Sequence, residues 1–408
     1  MAKGEIVAAV DVGTSKVCTV VAHVDPDNAV QVLGTGMCAS KGMHKGLVAN
    51  LDEASETLRD SIRKAEHTSG LKMKSAYFGV SGAHVNSWNK RTAVAVGKGV
   101  HPVSEWDVKR ALATAQAPGM REERKVLHAI PQEYSLDGHN GVKDPIGMRG
   151  FRLDVDTHII TVDQSSLENL CECVRKAGMK SDGLVLNALG SAESALSSDE
   201  IEEGVVLVDI GAGTTDVAAF RNGTVIHTQV IAAGGNQISR DLAVGLGIPF
   251  DAAEQAKKEY GTLLRSAGKD GGETISLNGS GEVLRADVNE IIRARVEEIL
   301  QLVYLQLPDA ENYKARFPAG LVITGGTANL PGIDSVAIEM LGISARVGTP
   351  KALYGLSDEL TGPAFTAAAG IVLWGAKEFL RQRREEAGIS RKLVTNIKSL
   401  APRWSKAG

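Results

Sequence analysis

The sequence predicts an α/β protein of two related halves, with a separate unit inserted into the first. Three observations support this. An apolar run, Ile6-Val7-Ala8-Ala9-Val10, ends in Asp11-Val12-Gly13-Thr14-Ser15-Lys16 and resumes over residues 17–22. The arrangement returns at 205–208, Asp209-Ile210-Gly211-Ala212-Gly213-Thr214-Thr215-Asp216 and 217–220, with the leading aspartates 209 − 11 = 198 positions apart. That period is too long for a solenoid repeat. Between the copies, residues 83–164 have their own character: short strands at 92–96 and 157–162, a helix over 105–115, and a polar, glycine-rich stretch over 137–150.

Short apolar runs bounded by turn residues read as buried strands, and each pair reads as a hairpin whose turn holds a carboxylate and a glycine. After the second hairpin come helical stretches at 236–246 and 251–260, an exposed hairpin at 261–283, and a long helix over 287–307. A buried strand at 321–324 ends at Gly325-Gly326, and a last helix near 363–383 leads to a basic tail. The expected division gives 1–82 and 165–203 to the first half, 83–164 to the insert, and 204–384 to the second half. The second half has an outer part at about 236–307, and 385–408 is linker and tail.

At 408 residues the chain is too long for one core, and 43% hydrophobic with 23% charged residues is an ordinary globular balance. A net charge of −4 argues against a main role in gripping nucleic acid. Cys18, Cys38, Cys171 and Cys173 lack metal-site spacing and read as thiols in a reducing compartment. The apolar start is too short for a secretory signal. No segment approaches the roughly 20 apolar residues that span a bilayer, so the chain is expected to be soluble or attached only at a membrane surface.

A triphosphate with Mg2+ needs backbone amides, carboxylates for a hydrated metal, and room for close approach. Gly13, Gly211 and Gly213, with Ala212 between, allow that approach and an anion nest. Asp11 and Asp209 at strand ends would hold Mg2+ through water. Thr14, Ser15, Thr214 and Thr215 offer hydroxyls and Lys16 a cation. Thr324-Gly325-Gly326-Thr327 would let a flat ring lie on the backbone, and Gly234, Gly235 and Asn236 join the set at a helix start. Glu254 and Lys257, at i and i+3 with Lys258 beside them, would contact ribose and ring. The plainer readings are turn-favouring hairpins, a close-packing glycine turn and a surface ion pair. Two hairpins and a third glycine element in one chain favour ATP and Mg2+. No Gly-x-x-x-x-Gly-Lys-Ser/Thr loop occurs.

The order of these motifs resembles the phosphate and adenosine motifs of the actin, sugar-kinase and heat-shock chaperone superfamily. That resemblance implies an actin-like fold: two ribonuclease-H-like domains around a nucleotide cleft. Asp11-Val12-Gly13-Thr14-Ser15-Lys16-Val17, Gly42-Met43-His44-Lys45-Gly46 and Val126-Leu127-His128-Ala129-Ile130-Pro131-Gln132-Glu133-Tyr134 are similar to segments of the FtsA family. The third string is the most discriminating, and the likeness runs from Ile6 to about Gly375. It implies a cell-division protein with an FtsA-type insert. It further implies that the protein polymerises with itself, tethers FtsZ to the cytoplasmic membrane at the division site and recruits other division proteins. FtsZ would dock on the outer part of the second half. His128, beside apolar neighbours, reads as a packed core residue and not a catalytic one.

Hydrolytic relatives place a carboxylate before an alanine-rich helix, where this chain has Asn187-Ala188-Leu189-Gly190-Ser191-Ala192. General-base help is worth about 10²–10⁴-fold, so no catalytic residue is assigned, slow ATP turnover is expected, and nucleotide would set closure and assembly. In the tail, Ile389, Leu393, Ile397, Leu400 and Trp404 share one helical face, with Arg391, Lys392, Lys398, Arg403 and Lys406 around it. Such a helix suits an anionic membrane surface, and a membrane-targeting tail helix is also what the resemblance implies. Pro402 removes a helical bond at a cost of ~3 kcal/mol, which would stop or kink the helix near Ala401. Two alternatives share the motifs: a small-molecule kinase, which should show a substrate-binding acid or histidine in the cleft, and a PilM-like pilus-assembly adaptor.

Overall fold

The computed structural model describes residues 5–400 except 26, 28, 117–122, 265–272, 278–280, 352 and 356–359, with backbone alone at 277, 281, 310 and 384–400. In chain order the first half opens with β1 (Glu5–Val12), β2 (Lys16–Val24), β3 (Val30–Ala39), α1 (Leu51–Ser69) and β4 (Ser75–Val80). There follow β5 (Asn86–Ala95), α2 (Glu105–Gln116), β6 (Arg124–Leu136), β7 (His139–Val142) and β8 (Arg152–Asp163). The chain returns through α3 (Gln164–Lys176), β9 (Lys180–Leu186) and α4 (Asn187–Ala195). The second half holds β10 (Val205–Ile210), β11 (Thr215–Arg221), β12 (Thr224–Ile231), α5 (Gly235–Leu246), α6 (Phe250–Tyr260), α7 (Arg285–Gln306), β13 (Gly320–Thr324), α8 (Ile333–Leu341), β14 (Ala345–Val347) and α9 (Thr366–Leu400).

Two five-stranded sheets repeat one plan, in the orders β9-β4-β1-β2-β3 and β14-β13-β10-β11-β12. In each, the leading strand pairs antiparallel with the second arm of its hairpin and parallel with a strand reached by a crossover. Residues 7–10 and 205–208 are buried on both faces, which is why they read as continuous apolar runs and not alternating ones. Val205, Leu207, Ala218 and Phe220 share a core with Leu186, Ala188 and Leu189, so α4 lies between the two sheets. α4 also crosses α9 at backbone contact: a Cβ on Gly370 would overlap the carbonyl of Gly190.

Between β4 and α3 a separate antiparallel sheet runs β7-β6-β8-β5. It has more strand than the sequence suggested. β5 starts at Asn86, β8 starts at Arg152, and the string 126–134 lies inside the thirteen-residue β6. β5 is an edge strand with polar residues at most positions, and charged edges hide the strand pattern. The hairpin expected at 261–283 appears as Thr274–Leu277 paired with Gly281–Leu284; its turn lies outside the described residues.

The last helix differs from the reading. The linker expected from residue 385 is helical backbone within α9, because arginine, glutamate and alanine favour helix. The side chains of Leu393, Ile397, Lys398 and Leu400, and all of Pro402, Arg403 and Trp404, lie outside what is described. Among the described residues no helix is long and apolar enough to cross a membrane.

Candidate functional site

The elements that form the cleft floor reach it from the carboxyl ends of parallel strands, where an α/β sheet leaves a crevice. β1 delivers Asp11 and β10 delivers Asp209, each followed by its turn. β4 ends just before Ser81, β9 just before Asn187 and β13 just before Gly325. Together they line one cavity of about 420 Å³ between the halves.

The two turns are near copies. Gly13 N donates to Lys16 O at 3.1 Å, and Gly211 N donates to Thr214 O at 2.9 Å. The turns meet across the cleft: a Cβ on Gly213 would lie 2.7 Å from the Thr14 hydroxyl, which itself accepts from Gly46 N at 3.2 Å. Positions 13–16, 211–214 and 325–327 line the cavity with Asp11, Asp209, Gly235, Asn236, Glu254, Lys257 and Lys258. Gly325 adopts φ +87°, and a Cβ there would overlap the Asp209 carboxylate and the Ile210 carbonyl. Glycine alone suits that corner.

Burial raises the carboxyl pKa of Asp11 against the pull of Lys16. It pushes Asp209 up to about 6, with the Ser191 hydroxyl opposing and Asp11 adding. Asp209 accepts from Ser191 Oγ at 2.6 Å and Asp11 from Asn187 Nδ2 at 3.1 Å. The stretch notable for lacking an acid thus holds both carboxylates from the N-terminal turns of α4. Burial lowers the pKa of Lys16, although Asp11 resists; its ammonium lies 4.2 Å from the Phe365 ring centre.

At the opposite end, Lys257 donates to Gly235 O, Ser239 Oγ and Glu254 Oε2 at 2.9, 2.9 and 2.6 Å. Lys258 takes the other oxygen of Glu254 at 3.0 Å. Burial opposes ionisation of Glu254, but Lys257 beside it prevails and its pKa lies below the ordinary value. The i, i+3 pair is therefore packed against the helix start at Gly235, with Leu330 and Pro331 as apolar neighbours in the lining.

Two expected contacts turn elsewhere. Thr215 begins β11, where successive side chains alternate in direction; its hydroxyl donates to Ala233 O at 2.8 Å. Gly234 is not in the lining: it sits beneath Gly211 and donates its amide to Gln237 Oε1 at 2.9 Å. The same alternation exposes a residue the sequence reading passed over. Asp216 follows Thr214 by two positions and shares its face. It accepts from Ser81 Oγ at 2.7 Å and Thr214 Oγ1 at 3.1 Å, while its other oxygen is buried without a partner. Burial first, then Asp209, push its pKa up to about 8. Ser81 has no motif around it, and Asn187 stands in the sequence only where an acid is missing; the convergence of strand ends reveals both as site residues.

A cation fits here. Three buried carboxylates with raised pKa values face one cavity, and one oxygen lacks a partner. Among the described residues no group of three His, Cys, Asp or Glu is placed to hold an ion directly, so the donor set suits an ion that keeps its waters.

Family models described as cell division protein FtsA and as the SHS2 domain inserted in FtsA match residues 206–370 and 82–161. The cell division protein FtsA of Pseudomonas aeruginosa is 35% identical over 382 residues, 92% of this chain and 90% of that protein. That of Escherichia coli K12 is 34% identical over 407 residues, 97% and 95%. Among solved structures, the PilM–PilN type IV pilus biogenesis complex matches with TM-score 0.66 at 16% identity, covering 91% of this chain and 98% of that one. MreB5 of Spiroplasma citri bound to ADP matches with TM-score 0.53 at 14% identity, covering 94% and 98%.

Proposed function

The chain belongs to the FtsA family of cell-division proteins and has the actin-like fold with the inserted SHS2 domain; on that premise we propose that it binds ATP with Mg2+ in the cleft and works as a nucleotide-set, self-assembling membrane adaptor for FtsZ. The observation that supports this most is the pair of matched carboxylate-bearing turns, one from each half, facing one cavity. The ADP bound by MreB5 occupies a relative of the same fold.

In this reading Asp11 and Asp209 hold hydrated Mg2+, and the turns at 13–16 and 211–214 take the phosphates with Lys16 as counter-charge. Gly235, Asn236, Glu254, Lys257, Lys258 and the corner at 325–327 take the nucleoside. Bound Mg2+ supplies neutralisation of phosphate charge. Glu193, the one acid on α4, pairs with Lys377 and does not line the cavity, which supports slow turnover. Residues 1–82 with 165–203, 83–164 and 204–384 act as first half, insert and second half. The tail from residue 389 attaches to the cytoplasmic face of the membrane through Leu393, Ile397, Leu400 and Trp404, with Lys398 and Arg403 on anionic headgroups. One short helix binds weakly, so attachment gains from the avidity of a polymer. FtsZ and later division proteins are the partners.

The test is pelleting with vesicles of anionic lipid, with and without Mg2+–ATP and FtsZ. The full chain should pellet and carry FtsZ with it, more so with nucleotide, and a chain lacking residues 389–408 should do neither. Undiminished pelleting of the shortened chain rejects the anchor.

A further inference from the structure

The string 126–134 has a structural consequence beyond family likeness. β6 pairs with β8 in regular register except at two places. Thr157 faces Pro131 while Asp156 faces Glu133, so Gln132 is an extra residue; Ile160 faces His128 while Thr161 faces Val126, so Leu127 is another. A bulge re-aims its side chain. The Gln132 amide donates out of its own sheet to Val225 O at 2.9 Å, and within the insert to Asn89 Oδ1 at 3.3 Å. Val225 lies in β12, the edge strand of the second half. Along that edge Ser87 Oγ donates to Thr228 O at 2.7 Å and Asn89 Nδ2 to Ile226 O at 3.1 Å. Side chains, not a backbone ladder, satisfy these edge carbonyls, so the grip can release without unzipping either sheet.

The same strand grips the first half. His128 Nε2 accepts from Leu186 N at 3.1 Å, just ahead of α4, and its ring lies 5.3 Å from that of Trp374 in α9. Burial pushes that imidazole down to about 4, so the accepting lone pair persists at neutral pH. α4 is the helix whose Asn187 and Ser191 hold Asp11 and Asp209.

We infer that β6 is a strap between the two halves, and that Gln132 is the positioning residue by which the insert holds the cleft closed. The inference rests on the cleft being the nucleotide site. Gln132 touches nothing in the cavity, so loosening it acts only by shifting the population of closed molecules, and nucleotide affinity falls with it.

The test uses the full chain and Gln132→Ala, with a fluorescent ATP analogue and Mg2+, and amide hydrogen exchange in β12. The variant should bind about 5- to 10-fold more weakly and exchange faster in β12. Arg175→Ala, which breaks a solvent-facing ion pair on α3 away from both grips, should change neither. Should Gln132→Ala fail to fold, Ser87→Ala removes a neighbouring grip and leaves the bulge intact. Unchanged affinity in a folded strap variant, beside normal binding by the parent, overturns the strap. Failure of the parent to bind overturns instead the nucleotide reading beneath it.

Discussion

Replacing Asp216 by asparagine should stabilise the nucleotide-free protein, and the gain should grow with pH. The Asp216 carboxyl is pushed from 3.8 to about 8 by burial and by Asp209. Because the folded pKa lies above the unfolded one, the folded protein retains a proton that the unfolded chain releases. Stability is therefore unpenalised below about pH 4, falls as pH rises, and levels off above pH 8. At about 1.4 kcal/mol per tenfold change in proton affinity, the full gap corresponds to roughly 6 kcal/mol. Water and counter-ions entering the cavity screen part of this, leaving about 2–3 kcal/mol. Asparagine keeps an oxygen for Ser81 and Thr214 and removes the charge. The assay is urea unfolding at pH 5 and pH 8 without nucleotide or divalent ions. The variant should gain at least about 2 kcal/mol at pH 8 and clearly less at pH 5. Equal stability at both pH values, or a less stable variant at pH 8, refutes the reasoning.

Two further substitutions probe close approach. Gly325→Ala should cost about 1–3 kcal/mol of stability by thermal unfolding, and should abolish nucleotide binding because the new Cβ displaces Asp209. Gly370→Ala should cost about 1–3 kcal/mol or more by separating α4 from α9, and should weaken nucleotide binding by moving Asn187 and Ser191; a variant with normal unfolding would show that the crossing yields.

The duplicated hairpins were legible because buried central strands write uninterrupted apolar runs and the turns require glycine beside a carboxylate. Their pairing across 198 residues makes a two-half architecture readable from the chain alone. Asp216 was within reach of the same logic, since strand alternation places it on the Thr214 face and sends Thr215 the other way. Asn187 and Ser191 were not: they were read for a missing acid, whereas their task of holding Asp11 and Asp209 depends on where α4 lands. β6 was recognised only as a string, because its bulges and the grips of His128 and Gln132 are properties of pairing, invisible along one chain. The continuity of α9 through 385–390 escaped because polar composition marks linkers and exposed helices alike. The alternative of a pilus-assembly adaptor shares the fold at 16% identity, while the FtsA relatives match at 34–35% over nearly the whole chain; fold likeness alone does not choose function.

The account stands on a magnesium nucleotide occupying the cleft between the two matched turns. Calorimetric titration of the full-length protein with ATP in Mg2+ addresses this directly. One site per chain should appear, competed by ADP, weakened without Mg2+ and lost in Asp209→Asn. A flat titration, or an Asp209→Asn protein that binds as the parent does, contradicts it.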